Sequence, residues 1–249
     1  MQSSPAPCSL SACRPAIFLP EFLHLNAISS FTSSSIGRKW IVALTGLALF
    51  GFVVGHLVGN LQIFLGPESI NRYGAFLKST GELLWLARIG LLVMLVLHIV
   101  YTIKLSIENR AARPERYAVT KRRATTFAGR MMIWSGLMVF CFIVYHLLHF
   151  TTHNVDPSYA ALHDAQGRHD VYRMMVLGFS NKAASAFYIL GVGLLAMHLN
   201  HGFASLFQTL GLKTTKLAPF WHKTGQALSW LIFIGYASMP VAVLAGVIR

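Results

Sequence analysis

The stretch Trp40–Phe64, WIVALTGLALFGFVVGHLVGNLQIF, decides the class of fold. It contains no Asp, Glu, Lys or Arg, and its one ionisable side chain is that of His56. A helix crosses the hydrocarbon layer of a membrane in about 20 residues, so this run is long enough to span it. The sequence therefore predicts a transmembrane helix with a histidine inside it.

The composition of the whole chain favours the same class. Of 249 residues, 55% are hydrophobic and 12% are charged, and the mean hydropathy is +0.56, whereas soluble domains contain about 25% charged residues. The net charge of +13 comes from Lys and Arg that lie mostly between the apolar runs. We assign these charges to orientation in membrane lipid and expect no nucleic-acid partner. The three cysteines have neither metal-ligand spacing nor a disulfide framework.

The apolar runs predict an all-α integral membrane bundle of five transmembrane helices. The bundle forms one domain, 37–249, after a poorly ordered N-terminal extension, 1–36. The predicted helices are about 40–64, 83–103, 131–150, 183–207 and 226–248.

The loop between the second and third helices contains the strongest positive cluster of the chain. Its members are Arg110, Arg113, Arg116, Lys121, Arg122 and Arg123. Cytoplasmic loops carry an excess of Lys and Arg, so this loop is predicted to be cytoplasmic. The N-terminus is then cytoplasmic, and the C-terminus lies outside.

Six histidines fall within the predicted helices: His56, His98, His146, His149, His198 and His201. Ionisable side chains inside a membrane are energetically costly and usually face the interior of the bundle. Each of these histidines is therefore a candidate functional residue.

Four of the histidines match in depth. His56 lies sixteen residues into the first helix and His146 fifteen into the third, so both lie roughly 22–24 Å from the cytoplasmic end. His98 and His198, on helices that run the other way, lie about 8–14 Å from that end. The chain thus predicts an outer pair and an inner pair, each contributed by two helices.

Two imidazoles from different helices at one depth are what a six-coordinate haem iron needs, because the porphyrin supplies the other four nitrogens. Two pairs predict two b-type haems. Zinc would need three or four converging ligands. A histidine proton relay would not explain the pairing by depth. Depth alone does not choose between His198 and His201.

Several motifs extend this interpretation to a family. They are SSIGRKWIVALTGLALFGFVVGHLVGN in the first helix, LVLHIVYTIK in the second, AGRMMIWSG followed by FIVYHLLHF in the third, and MHLNHGFASLFQTLG in the fourth. From Ser34 to the C-terminus the chain resembles the cytochrome b subunit of succinate dehydrogenase and fumarate reductase, in its single-chain, five-helix, two-haem form.

The resemblance implies the iron ligands: His98 and His198 for the haem nearer the cytoplasm, and His56 and His146 for the outer one. The family pattern in the fourth helix is a ligand His followed four residues later by Gly. His198 and Gly202 fit that pattern, which favours His198 over His201.

The resemblance also implies partners and a location. A flavoprotein subunit that oxidises succinate and an iron-sulfur subunit would bind the cytoplasmic face. A membrane quinone, menaquinone in the first instance, would exchange electrons with the haems in the bacterial cytoplasmic (inner) membrane. In some fumarate reductases of this type a glutamate two residues before the haem ligand of the fourth helix supports a transmembrane proton path. Ala196 stands at that position here, so the resemblance does not extend to that path, and the direction of the reaction stays open.

Further residues are predicted to lie beside the cofactors. Arg88 and Arg130 are candidate partners of haem propionates, because a buried guanidinium needs an anion; snorkelling to the surface is the alternative for both. The candidates near the outer haem or the quinone are Asn60, Gln62, Glu82 and His149.

Two other functions stay open at this stage. The chain could be the dihaem cytochrome b subunit of another quinone-linked dehydrogenase. It could also be a haem-free transporter with a histidine relay.

Overall fold

The computed structural model describes residues 29–112 and 131–249, and within these ranges the protein is all-helical, without a strand. Its α-helices of ten residues or more are α1 Ser35–Asn60, α2 Pro67–Ser79, α3 Glu82–Ala111, α4 Met132–His146, α5 Val171–Ser180, α6 Lys182–Thr209 and α7 Ala218–Leu244. Five of them are long and apolar enough to cross a membrane: α1, α3, α4, α6 and α7. The predicted all-α class with five candidate spans is confirmed.

The helices extend beyond their apolar parts. α3 continues eight residues past the predicted end at Ile103, through the polar sequence KLSIENRA. α7 begins at Ala218, eight residues before its predicted start, with a proline in its first turn, and ends at Leu244 rather than 248. Hydropathy detects the part of a helix that lies in hydrocarbon, whereas polar residues with good helix propensity continue it into water.

Two predicted loops contain helices of their own. α2 begins with Pro67, whose fixed φ suits the first helical turn, and it follows Gly66 at φ 97°. α5 begins at an N-cap, where the Asp170 side chain accepts a hydrogen bond from the Arg173 amide. These helices are short and amphipathic, so a search for long apolar runs misses them.

The buried core lies where α4, α5, α6 and α7 pack together. Gly191 of α6 lies against the Phe142 ring, at a distance that a Cβ atom could not occupy. Gly235 of α7 likewise faces Leu57 of α1, where a Cβ would lie 3.0 Å from the leucine methyl groups. Small residues let membrane helices approach closely, and these two positions use that property.

α3 packs differently from the other spans. None of its thirty residues, all of which the structure describes, is buried. Its link to the other helices is made through individual side chains, and the clearest of these is His98.

Clustering of contacts divides the chain into two units, Met1–Arg38 and Lys39–Arg249. In the first unit the described residues begin at 29; residues 29–33 are helical, and the Gly37 amide donates to the Ser34 hydroxyl at 2.9 Å. The predicted extension, 1–36, lies mostly outside the described residues. Arg130 and the arginines and lysines at 113–123 also lie outside them.

Candidate functional site

The inner pair joins α3 to α6. The ring centres of His98 and His198 lie 6.4 Å apart, with the ring planes at 69°. Nδ1 of His98 lies 3.2 Å from the Val42 carbonyl oxygen and 3.3 Å from the Thr45 hydroxyl, both on α1. Nδ1 of His198 lies 3.2 Å from the hydroxyl of Ser135 on α4. Each ring is therefore held at Nδ1.

Glycines bring these two rings close to the neighbouring helices. A Cβ at Gly46 would lie 3.1 Å from Cε1 of His98, and one at Gly136 would lie 3.3 Å from Cε1 of His198. Such distances are tighter than ordinary van der Waals contact, so an alanine at either position would press on the ring. The sequence therefore supplies a glycine opposite each inner histidine.

The outer pair joins α1 to α4. The ring centres of His56 and His146 lie 5.8 Å apart, with the planes at 82°. His56 is stacked on Phe52 at 5.2 Å, and its backbone carbonyl accepts a hydrogen bond from Asn60 Nδ2 at 2.7 Å. Nδ1 of His146 lies 3.3 Å from the hydroxyl of Tyr188 on α6.

The spacing of both pairs fits bis-histidine ligation of haem. A metal–nitrogen bond of about 2.0 Å and about 1.1 Å from the nitrogen to the ring centre place two axial imidazoles about 6 Å apart, centre to centre. Rotation about the common axis leaves the angle between the planes free. In His98, His146 and His198 the hydrogen-bonded nitrogen is Nδ1, which leaves Nε2 for a metal. Partners of this kind orient metal-ligating histidines.

Within residues 29–112 and 131–249, no group of three or more His, Cys, Asp or Glu side chains is placed to hold a metal ion. The four histidines instead form two pairs, His56 with His146 and His98 with His198. This geometry suits a metal that brings its own equatorial ligands better than it suits zinc.

His149 and His201 take other positions. α4 ends at His146 and continues as a π-helical turn, Leu147–Thr151, in which His149 is 3% exposed. Nδ1 of His149 lies 3.2 Å from the Tyr188 hydroxyl, so both histidines contact one phenol. His198 rather than His201 faces His98. The choice of His198 as an iron ligand stays a prediction.

The predicted propionate partner Arg88 is exposed, and its guanidinium lies 5.1 Å over the ring of Trp85. This arrangement is typical of side chains at the membrane–water interface. Arg130 lies outside the described residues, and its assignment stays a prediction.

The residues predicted to lie near the outer haem or the quinone occupy different positions in the structure. Gln62 lines a cavity of about 560 Å³ just after the C-terminal end of α1, together with Leu65, Glu68, Ser69, Arg72, Tyr73 and Phe76. Gln62 Oε1 accepts a hydrogen bond from Ser69 at 3.1 Å. Asn60 bonds the His56 carbonyl, and Glu82 is exposed in the first turn of α3. His149 lies beside Tyr188.

The cavity is close to the outer pair along the chain. Gly59, one helical turn after His56, lies against the Tyr73 ring, where a Cβ would approach to 2.6 Å. The Tyr73 ring, which lines the cavity, therefore packs on α1 about one turn after His56.

An ionic network outside the five candidate spans was not predicted. Arg168 donates to both carboxylate oxygens of Glu68, at 3.0 and 2.6 Å, and to Asp164 at 2.7 Å. The side-chain hydrogen bond from Arg168 holds the pKa of Glu68 below its usual value. Asn71, which is 1% exposed, donates to Asp170 at 3.0 Å. Glu68 and Arg168 lie about a hundred residues apart, as do Asn71 and Asp170, so no local sequence pattern predicts these two contacts.

No protein family, curated protein or solved structure matches the chain. The geometry of the histidine pairs is therefore the main guide to function.

Proposed function

We propose that this protein is the membrane-anchor cytochrome b subunit of a succinate:quinone oxidoreductase and binds two b-type haems. The observation that carries the proposal is the pairing of four membrane histidines from four helices, with ring centres 5.8 and 6.4 Å apart. Such a pair is a ligand set for a metal that already has four equatorial ligands.

The residues have separate roles in this proposal. His98 and His198 hold the inner haem iron, and His56 and His146 hold the outer one. A bound haem supplies reversible one-electron transfer. Thr45 and Ser135 orient two of the ligand rings, and the aromatic side chains near the outer pair exclude water.

The remaining parts of the proposal rest on the family resemblance and on charge. A flavoprotein subunit and an iron-sulfur subunit would bind the face that carries Lys213, Lys216 and Lys223, which the positive-inside rule makes cytoplasmic together with the N-terminus. The membrane would be the bacterial cytoplasmic membrane.

The cavity at Gln62 is our candidate for the quinone site. Its lining combines an amide and a guanidinium with the rings of Tyr73 and Phe76. Quinone sites need apolar surface for the ring and a few polar groups for the carbonyl oxygens. Reduction of a quinone consumes two electrons and two protons, and this position is close to the outer haem ligand and to water. Menaquinone is the quinone we expect.

One contact favours a second candidate function. The Tyr188 hydroxyl lies between Nδ1 of His146 and Nδ1 of His149. A haem-free transporter could use such a chain as a proton relay. This candidate predicts a colourless protein.

The test is haem quantitation with a reduced-minus-oxidised spectrum on protein purified from cells that supply haem. We expect two haems per chain and the absorption bands of a bis-histidine b-type cytochrome. A colourless protein would overturn the proposal and favour the histidine relay.

The quinone assignment has its own test. Gln62→Leu should slow the reoxidation of reduced haem by a soluble menaquinone analogue, while haem content stays at two. Glu82→Gln is the matched control, because this carboxylate is exposed and lies outside the cavity. Equal reoxidation rates in both variants and the wild type would place the quinone elsewhere.

A further inference from the structure

The Tyr188 hydroxyl contacts two imidazoles at once. It lies 3.3 Å from Nδ1 of His146 and 3.2 Å from Nδ1 of His149. Tyr188 is 6% exposed and His149 3% exposed, so water does not readily replace either contact. The three groups form a buried hydrogen-bond chain that runs from α4 to α6 and back to the π-helical turn.

The phenol has one hydrogen, so it can donate to only one of the two rings. Two polarities of the chain use that hydrogen. In one polarity His146 donates from Nδ1 to the phenol oxygen, and the phenol donates to Nδ1 of His149. In the other, His149 donates to the phenol and the phenol donates to His146. In these two polarities one ring donates to the phenol and the other accepts from it, so the tautomers of the two histidines are coupled through Tyr188.

Of these two polarities, only the first allows His146 to bind iron. A neutral imidazole carries one proton, and a proton on Nδ1 leaves the lone pair of Nε2 free. In the second polarity the proton of His146 is on Nε2, and that nitrogen cannot act as a ligand. When the phenol hydrogen is used within the chain, iron at His146 goes with a His149 that accepts this hydrogen and keeps its own proton on Nε2.

We propose that Tyr188 and His149 are positioning residues for His146, and that they set the tautomer and the basicity of this axial ligand. The inference rests on the proposed function, since it concerns the outer haem. An acceptor at Nδ1–H increases the electron density at Nε2, which stabilises ferric iron. Donation from Tyr188 to His149 strengthens the acceptor, since hydrogen bonds in a chain polarise one another.

The chain also gives His149 a role that is not ligation. The π-helical turn places it against Tyr188 rather than opposite His56, and its ring is stacked on Phe150 at 4.1 Å. Substitution of His149 should therefore alter the outer haem without removing it.

The experiment is an optical redox titration of purified protein. Tyr188→Phe removes the acceptor but keeps the ring, so we expect the midpoint potential of the outer haem to rise while that of the inner haem is unchanged. Ser135→Ala is the matched control at the inner pair. Because Ser135 contacts His198, this variant should change the midpoint potential of the inner haem alone.

A second pair of variants tests His149 directly. His149→Leu removes the acceptor of the phenol hydrogen, and a smaller rise of the outer potential is expected. His149→Asn places an amide oxygen near the former Nδ1 position and should restore a potential close to that of the wild type. If Tyr188→Phe does not bind the outer haem, the potentials of His149→Leu and His149→Asn still test whether the hydrogen-bond chain tunes His146.

The outcomes separate this inference from the function on which it rests. A haem-free wild-type protein would overturn both. A wild-type protein with two haems, whose outer potential is the same in Tyr188→Phe or in both His149 variants, would overturn this inference alone.

Discussion

The inner and outer histidine pairs differ in what holds their rings. At the inner pair, small oxygen groups contact Nδ1 of each ring: the Val42 carbonyl and the Thr45 hydroxyl for His98, and the Ser135 hydroxyl for His198. At the outer pair, aromatic rings surround the histidines, and His146 is held by a phenol that also serves a third histidine. Similar pair distances thus arise from different surroundings.

The two pairs also differ in how the surrounding helices position them. The outer pair lies beside the buried core, where Phe142 and Tyr188 pack together at 5.4 Å. The inner pair contains His98 of α3, a helix without a buried residue. The outer histidines are therefore placed by packing, whereas the inner pair itself contributes to holding α3.

The largest effect is expected at the inner pair. His98→Ala should reduce the haem content from two to one per chain and should make α3 more accessible to protease, since α3 loses its best-defined contacts. Haem quantitation and limited proteolysis measure this. His201→Ala is the control and should retain two haems. An unchanged haem content in His98→Ala would remove this residue from the ligand set.

At the outer pair we expect loss of one haem without release of a helix. His146→Ala should lose the outer haem, while α4 stays packed through Phe142 and its neighbours. His149→Ala should retain both haems, because its ring contacts Tyr188 rather than His56. The reverse result, with the haem lost in His149→Ala alone, would exchange the two assignments.

The packing behind the outer pair can be tested without touching a histidine. Gly191→Ala places a methyl group against the Phe142 ring, and overpacking of this kind costs about 1–3 kcal/mol. We expect a lower thermal midpoint in detergent and a perturbed outer-haem spectrum. Gly55→Ala has nothing within 4 Å of the new methyl group and should leave both unchanged. Equal stability of the two variants would contradict the packing described for α4 and α6.

The smallest effect is expected in the ionic network outside the five candidate spans. The hydrogen bond from Arg168 holds the pKa of Glu68 below its ordinary value of 4.5. The stabilisation is therefore fully present above that pH and is lost as the pH falls through the lowered pKa. Amide exchange in 66–81 and 160–172, corrected for intrinsic rates, should accelerate at acidic pH.

Glu68→Gln provides the control for this pH effect. The variant should exchange faster already at neutral pH and should show a weaker response to acid, since Asp164 still pairs with Arg168. Identical pH profiles in the wild type and the variant would show that the ion pair does not stabilise these segments.

Most of the architecture could be predicted from the sequence. Long apolar runs revealed the five candidate spans, because the energy of placing a residue in hydrocarbon depends mainly on its own side chain. The ends of α3 and α7 could not be read in this way, since polar residues continue a helix beyond the membrane. α2 and α5 were missed because they are short and their burial depends on distant partners such as Asn71 and Asp170.

The candidate site, too, could be predicted from the sequence only in part. The rise of a helix is constant, so counting residues predicted which histidines share a depth. The same count could not reveal that Thr45, Ser135 and Tyr188 contact the rings, because the azimuth of each helix is set by packing against its neighbours. The π-helical turn after His146 could not be predicted either. Regular α-helical periodicity would place His149 on the same face of the helix as His146.

By itself the sequence determined the class of protein, the number of candidate spans and the four histidines that match in depth, because these depend on side-chain hydropathy and on a fixed rise per residue. The tertiary structure alone decided that those histidines face one another, and which nitrogen of three of the rings is held. Contacts between residues more than forty positions apart settle these points. They depend on close packing among five helices, which no local pattern encodes.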